Sequence, residues 1–296
     1  MRTEKIAIWI AAITKGHPSL VNATIRWLEQ QGNHVSISTY DGLITGEPIK
    51  DVLGYNRAIL IKTLSPSYKE LLYRFSLVNE AFSRNLALTI ARISPEVTNP
   101  AEVLENLSGP WLDQLTNGSF EVSPLLINSG KDNLPFEVEK EVHLLVANQY
   151  LHNRIIDSSK ANTVLIHLWQ AHEYVRFASV LIQFLLAAKT SEQAKYIDWA
   201  CILVYDVEWP NEISLGYRIM IRAAQVRTLA LAGGKYRKIN DDLELLLSHA
   251  DIQEDAPAIL FAYVNVGLVN DHLPVEITIP RSFNLFRMIQ HSDTLK

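Results

Sequence analysis

The sequence predicts a mainly α-helical protein with one small β-hairpin. Apolar residues recur at helical spacing along most of its 296 residues. Several of these runs open on a Ser, Thr or Asn followed by Pro, or by Gln or Glu three positions on. Strict alternation around an Asn-Gly pair occurs at Asn117-Gly118, the strongest short-range hairpin signal.

Residues 1–40 read as a helical segment. Ile6, Trp9, Ile10 and Ile13 form an amphipathic stripe, which argues for a helix rather than a secretory signal. "TKGHPSLVNATIRWLEQQG" then places Gly16 at a helix end, His17 at an N-cap and Pro18 at the first helical position. A second helix follows, carrying Leu20, Val21, Thr24, Ile25 and Leu28. "NHVSISTYDGLITGEPIKDVLGYN" is a turn-rich connection into a second module, residues 41–132. There Ser65-Pro66 starts one helix and Ser83 a second; Asn99-Pro100, with Glu102 at the third position, starts a third. The Asn117-Gly118 hairpin comes next. Three short helices and a hairpin are the order of a winged helix. Leu71, Leu72, Phe75, Leu86, Ile90, Leu104, Leu107, Trp111 and Leu125 are its expected core.

Residues 133–296 read as a helical-repeat domain. One helix pair turns near His172-Glu173, and another breaks at Gly233-Gly234; between them Thr190 and Gln193 form a capping box. Gly234, Tyr236 and Ile239 fit the turn and second helix of a tetratricopeptide repeat. "LPVEITIPRSFNLF" breaks this pattern and reads as a tail or an edge strand.

Composition narrows the function. Hydrophobic residues make up 48% of the chain, which excludes intrinsic disorder. The net charge is −5, and the single cysteine, Cys201, cannot form an intrachain disulfide, so a cytoplasmic protein is expected. Across residues 50–131 eight lysines and arginines face eight aspartates and glutamates, leaving no surplus of cations for a DNA backbone. The apolar "SRNLALTIARI", the candidate reading helix, is expected to pack inward. His167 and His172 are five apart and fall on different sides of a helix, and no nucleophile elbow or zinc-protease signature is present. "NDDLE" and Glu254-Asp255 read as solvated faces.

The order of segments resembles the lid, winged-helix and sensor portion of STAND-class signalling NTPases, the group that includes the NB-ARC and NACHT proteins. "KGHPSLVNATIRWL" looks like their G-x-P lid motif, "SPSYKELLYRFSLVNEAFSRNLALTIARI" like the opening of their winged helix, and "GSFEVSPLLINSG" like the wing strand and helix that carry Met-His-Asp. The resemblance implies that Pro18 packs near an adenine, with His17 at the variable position. It puts Ser123 where the family has a histidine that reaches the β-phosphate of ADP. A serine hydroxyl there is shorter and uncharged. No G-x-x-x-x-G-K-[ST] loop occurs: Gly234-Lys235 lacks the upstream glycine and has Tyr236 in place of Ser or Thr.

The expected function is therefore a non-enzymatic regulatory module of a STAND-type switch, working through protein–protein contacts. No metal is expected and no cofactor is bound by this chain alone; ADP or ATP enters only with an ATPase core. The expected partners are proteins, whether an ATPase core or a second copy, with no nucleic acid and no membrane. Two alternatives stay open: a free-standing helical-repeat scaffold that binds a protein, and a winged-helix DNA-binding regulator.

Overall fold

A computed structural model describes residues 10, 11, 21, 25, 61, 64–78, 80–109, 111–123, 126, 129–131, 133–151, 158–201, 209–268 and 273–291. The protein is mainly helical, with a single two-stranded sheet among the described residues. It divides into two compact units, Met1–Gln149 and Tyr150–Lys296.

Among the elements of the first unit, α1 (Pro66–Phe75), α2 (Arg84–Ala91) and α3 (Pro100–Leu107) pack against one another. The cap residues set their starts in three different ways. Ser83 accepts a hydrogen bond from the Leu86 N–H at 3.2 Å, an ordinary N-cap. Ser65 has extended backbone but makes no side-chain cap, so Pro66 at the first turn marks the start of α1. Asn99 does not form the expected capping box. Its backbone is left-handed (φ 52°, ψ 53°) rather than extended, and its side chain bonds no N–H of α3.

Strands β1 (Leu112–Gln114) and β2 (Phe120–Val122) pair antiparallel, with Leu112 opposite Val122 and Gln114 opposite Phe120. The turn is not the two-residue type that Asn-Gly signals. Leu115 and Ser119 close a three-residue loop in which Gly118 alone takes positive φ (77°), and the Asn117 side chain accepts from the Ser119 N–H. Phe82, between α1 and α2, adds a rung to this sheet: its N–H and C=O both bond Phe120, each at 2.8 Å. Residues 66–122 thus run helix, strand position, helix, helix, hairpin. Of the expected core, Leu71, Leu72, Phe75, Leu86, Ile90, Leu104, Leu107 and Trp111 are buried, whereas Leu125 lies outside the described residues.

Two polar devices close this core. Arg74, fully buried, spends all five of its N–H groups. It donates to the Ile90, Ile93 and Pro95 carbonyls and twice to Glu70. Gly130 donates its N–H to Ser76 Oγ at 2.7 Å, so close to α1 that a Cβ there would overlap the Tyr73 carbonyl oxygen. Helix α4 (Phe136–Leu151) follows, burying Val138, Val142, Val146 and Ala147.

The second unit holds α5 (Ser158–Gln170), α6 (Tyr174–Ala187), α7 (Ser191–Cys201), α8 (Leu215–Ala232), α9 (Arg237–Ser248), α10 (Ala256–Tyr263) and α11 (Val275–His291). Helix α8 is central and packs against α6, α7, α9 and α10. It ends as the Gly-Gly pair predicts: the Gly233 and Gly234 N–H groups bond the Ala230 and Leu229 carbonyls, and Gly233 has φ 73°. The turn at His172 is built the same way without a glycine, since His172 itself takes φ 56°. Thr190 Oγ1 accepts from the Gln193 N–H, but Gln193 reaches back to the Lys189 N–H, one residue earlier than a capping box.

The expected tail or edge strand at "LPVEITIPRSFNLF" is instead α11, with Pro280 inside it. A proline in a helix interior costs about 3 kcal/mol on propensity alone, and the β-branched residues around it read as strand. Tertiary packing overrides both signals. A π-helical turn, Val264–Leu268, packs on α11, and Gly267 lets the two backbones approach: a Cβ there would lie 3.2 Å from Arg281 Cβ. Arg281, also buried, donates to Asn240 and Glu244 on α9.

Candidate functional site

His17 and Pro18 lie outside the described residues. Ser123 is described, and it lies in the interior. It follows β2, where alternation would turn it outward with Glu121, but the strand ends at Val122. Its N–H donates to the Trp111 carbonyl at 3.1 Å, its own carbonyl accepts from Leu126 at 2.8 Å, and its hydroxyl is buried without a hydrogen-bond partner. Such a hydroxyl bears an uncompensated desolvation cost.

The other residues weighed from the sequence take structural positions. His167 is buried on α5, while His172 stands exposed in the turn beyond it. Among the described residues no group of three His, Cys, Asp or Glu side chains could hold a metal ion. The Gly233 and Gly234 N–H groups are spent on the end of α8, leaving neither to cradle a phosphate. "NDDLE" is more than a solvated face: Asn240 and Glu244 hold Arg281, and Asp242 stands 3.5 Å from Arg222.

In a helix-turn-helix the second helix of the pair enters the groove. Were α2 and α3 such a pair, that helix would be α3 rather than the α2 segment singled out from the sequence. Leu86, Ala87, Ile90 and Ala91 turn α2 inward as expected. The outward residues of α3 include Glu102, Glu105 and Asn106, and the helix carries no Lys or Arg. Two of the module's cations are also withdrawn: Arg74 is buried, and Arg84 is paired with Glu105. The described surface around α3 thus presents no surplus of cations to a phosphate backbone.

Among the described residues a cluster of aromatic side chains with an arginine lies in the second unit, and sequence reading missed it. Trp169, at the end of α5, stands edge-on to Tyr174 (5.3 Å between centroids) and Phe177 (5.1 Å) at the start of α6. Trp209 approaches both Trp169 (6.4 Å) and Phe177 (6.3 Å). Arg218 positions the segment carrying Trp209 by donating to the Pro210 and Ile213 carbonyls. The Arg222 guanidinium lies 5.5 Å from the Trp209 ring centroid, a cation–π contact, and donates to Gln225 Oε1 at 3.0 Å. Trp209 Nε1 and Gln225 Nε2 are buried donors without partners.

His172 stacks on Tyr174 at the outer edge of this cluster. Burial, and then the charge of Glu212, push the Tyr174 phenol above its ordinary pKa, so it remains a neutral donor at pH 7. Phe177, Arg222, Gln225 and Trp209 Nε1 are buried, so the cluster packs α5, α6, α8 and the Trp209 segment together, with His172 exposed at its edge. Trp169 and Trp209 are 40 residues apart in the sequence, and nothing in either local segment signals their meeting.

The chain matches no protein-family model, no curated protein and no solved structure. Among the described residues no helix is long and apolar enough to cross a membrane.

Proposed function

We propose that this chain is a non-catalytic regulatory module of a STAND-type switch, acting through protein–protein contacts. Residues 1–40 serve as its helical lid segment, residues 41–132 as a winged helix, and residues 133–296 as a tetratricopeptide-like recognition arm. The observation that carries the reading is the Phe82–Phe120 rung. It inserts a strand position between the first two helices and pairs it with the hairpin after the third, the connectivity a winged helix requires. The acidic outward face of α3 favours a protein-facing role over DNA reading. A nucleotide would enter only with a partner that carries the phosphate loop.

A second reading, a free-standing helical scaffold, is favoured by the absence of that loop from the sequence. Co-expression with a reading frame from the adjacent DNA that encodes a phosphate loop separates the two. The switch reading expects a stable complex that binds ADP, while the chain alone neither releases phosphate from ATP nor selects a DNA sequence. ATP turnover that follows the isolated chain through purification, or submicromolar sequence-selective DNA binding at physiological salt, would overturn both readings.

A further inference from the structure

The outer face of α11 is apolar and exposed. Val275 (61%), Ile279 (50%), Phe283 (67%) and Phe286 (57%) are all at least half exposed. At 100° per residue these four positions fall within an arc of about 80° and form one continuous stripe. The opposite side of the helix, with Arg281 and Leu285, is already buried. Such a stripe amounts to roughly 500 Å², as large as the biggest apolar patch on a typical monomer, which is commonly functional.

The arrangement of residues along the stripe says what covers it. Its sequence is self-complementary about a point near residue 281. Ile279 and Phe283 stand at equal distances on either side of that point, and so, to within one residue, do Val275 and Phe286. Glu276 and Arg287 are exposed, lie on the same flank of the stripe about 20° apart around the helix, and mark its two ends. If two copies of α11 pack antiparallel across a two-fold axis at residue 281, Ile279 meets Phe283 of the second copy. Val275 then meets Phe286, and Glu276 meets Arg287, each contact occurring twice. A parallel pairing would instead leave Glu276 and Arg287 at opposite ends of the interface, where they cannot meet.

We infer that this chain self-associates through α11 as an isologous antiparallel pair, with the Val275, Ile279, Phe283 and Phe286 stripe as its core and two Glu276–Arg287 contacts at its ends. The inference is independent of whether the chain also serves a nucleotide switch. The area per copy is below the roughly 800 Å² of a standard interface, so a reversible monomer–dimer equilibrium is expected. Isologous closure leaves no free copy of the patch and prevents further growth.

Sedimentation velocity on the full chain, across a concentration series from low micromolar to millimolar, tests this. A monomer–dimer equilibrium is expected. Phe283→Glu should leave the helical circular dichroism unchanged and abolish the dimer. Glu276→Arg or Arg287→Glu alone should weaken it about tenfold, because each puts like charges together at both ends. The double reversal, Glu276→Arg with Arg287→Glu, should restore affinity to within about twofold of the parent. A chain that stays monomeric throughout, a dimer indifferent to Phe283→Glu, or a double reversal as weak as the singles would each overturn the inference.

Discussion

Arg74→Met tests the account of the first unit most directly. Methionine keeps much of the apolar stem and removes the guanidinium. Three carbonyls, those of Ile90, Ile93 and Pro95, then lose the donor they share. The Arg74 bonds to Ile90 and Ile93 lie in the buried core, where water cannot replace a lost donor at no cost. An unsatisfied buried carbonyl costs about 1–3 kcal/mol, and breaking a buried ionic group typically costs about 3–5 kcal/mol in total. The expected loss for Arg74→Met is therefore about 3–5 kcal/mol. Arg74→Lys keeps a cation but cannot span three carbonyls and Glu70 at once, so it should lose about 2 kcal/mol or more. Glu70→Gln retains an acceptor for the two bonds from Arg74 on a partly exposed side chain and should cost about 1 kcal/mol or less. Urea denaturation followed by circular dichroism measures all three. If Arg74→Met fell within about 1 kcal/mol of the parent, the argument that this residue ties α1 to the end of α2 would fail.

Three further outcomes are expected. Gly130→Ala forces a methyl against the Tyr73 carbonyl and should destabilise the first unit by about 2 kcal/mol or more, read by the same denaturation; a loss below about half a kcal/mol would disprove the close approach. Burial, with the positive charge of Lys131 adding to it, lowers His143 from 6.5 to about 4 and outweighs Glu139, whose carboxylate lies 3.7 Å away. The folded ring thus resists protonation while the unfolded ring accepts it, so stability is full above pH 6.5 and falls by up to about 3 kcal/mol toward pH 4. His143→Leu should flatten that slope, and an NMR titration placing His143 above pH 6 would refute its cause. Finally, Asp113 and Glu121 stand directly opposite on the hairpin, so Glu121→Lys should raise stability by about 0.2–1 kcal/mol in a thermal melt; an unchanged or lower midpoint would refute the cross-strand repulsion.

Much of this protein follows from short-range chemistry. Ser83, the Gly233-Gly234 pair and the Asn117-Gly118 loop each act through bonds to neighbours a few residues away, so their roles are legible in sequence. The same holds for the buried faces of α1, α2 and α3, which the helical period places on one side. The left-handed Asn99 and the non-glycine turn at His172 mark the limit of such reading, because neither position carries the glycine that signals a left-handed residue. What only the tertiary structure decided is non-local. The Phe82–Phe120 rung, the Arg74 web spanning residues 70–95, the Trp169–Trp209 cluster and the burial of Ser123 join segments whose local patterns carry no mutual signal. Helix α11 is the clearest case. Its proline and β-branched residues argue locally against a helix. The burial of Leu285 and Arg281, together with packing on the π-helical turn, outweighs them, because apolar burial and hydrogen bonding between distant segments stabilise the helix by more than its local propensity costs.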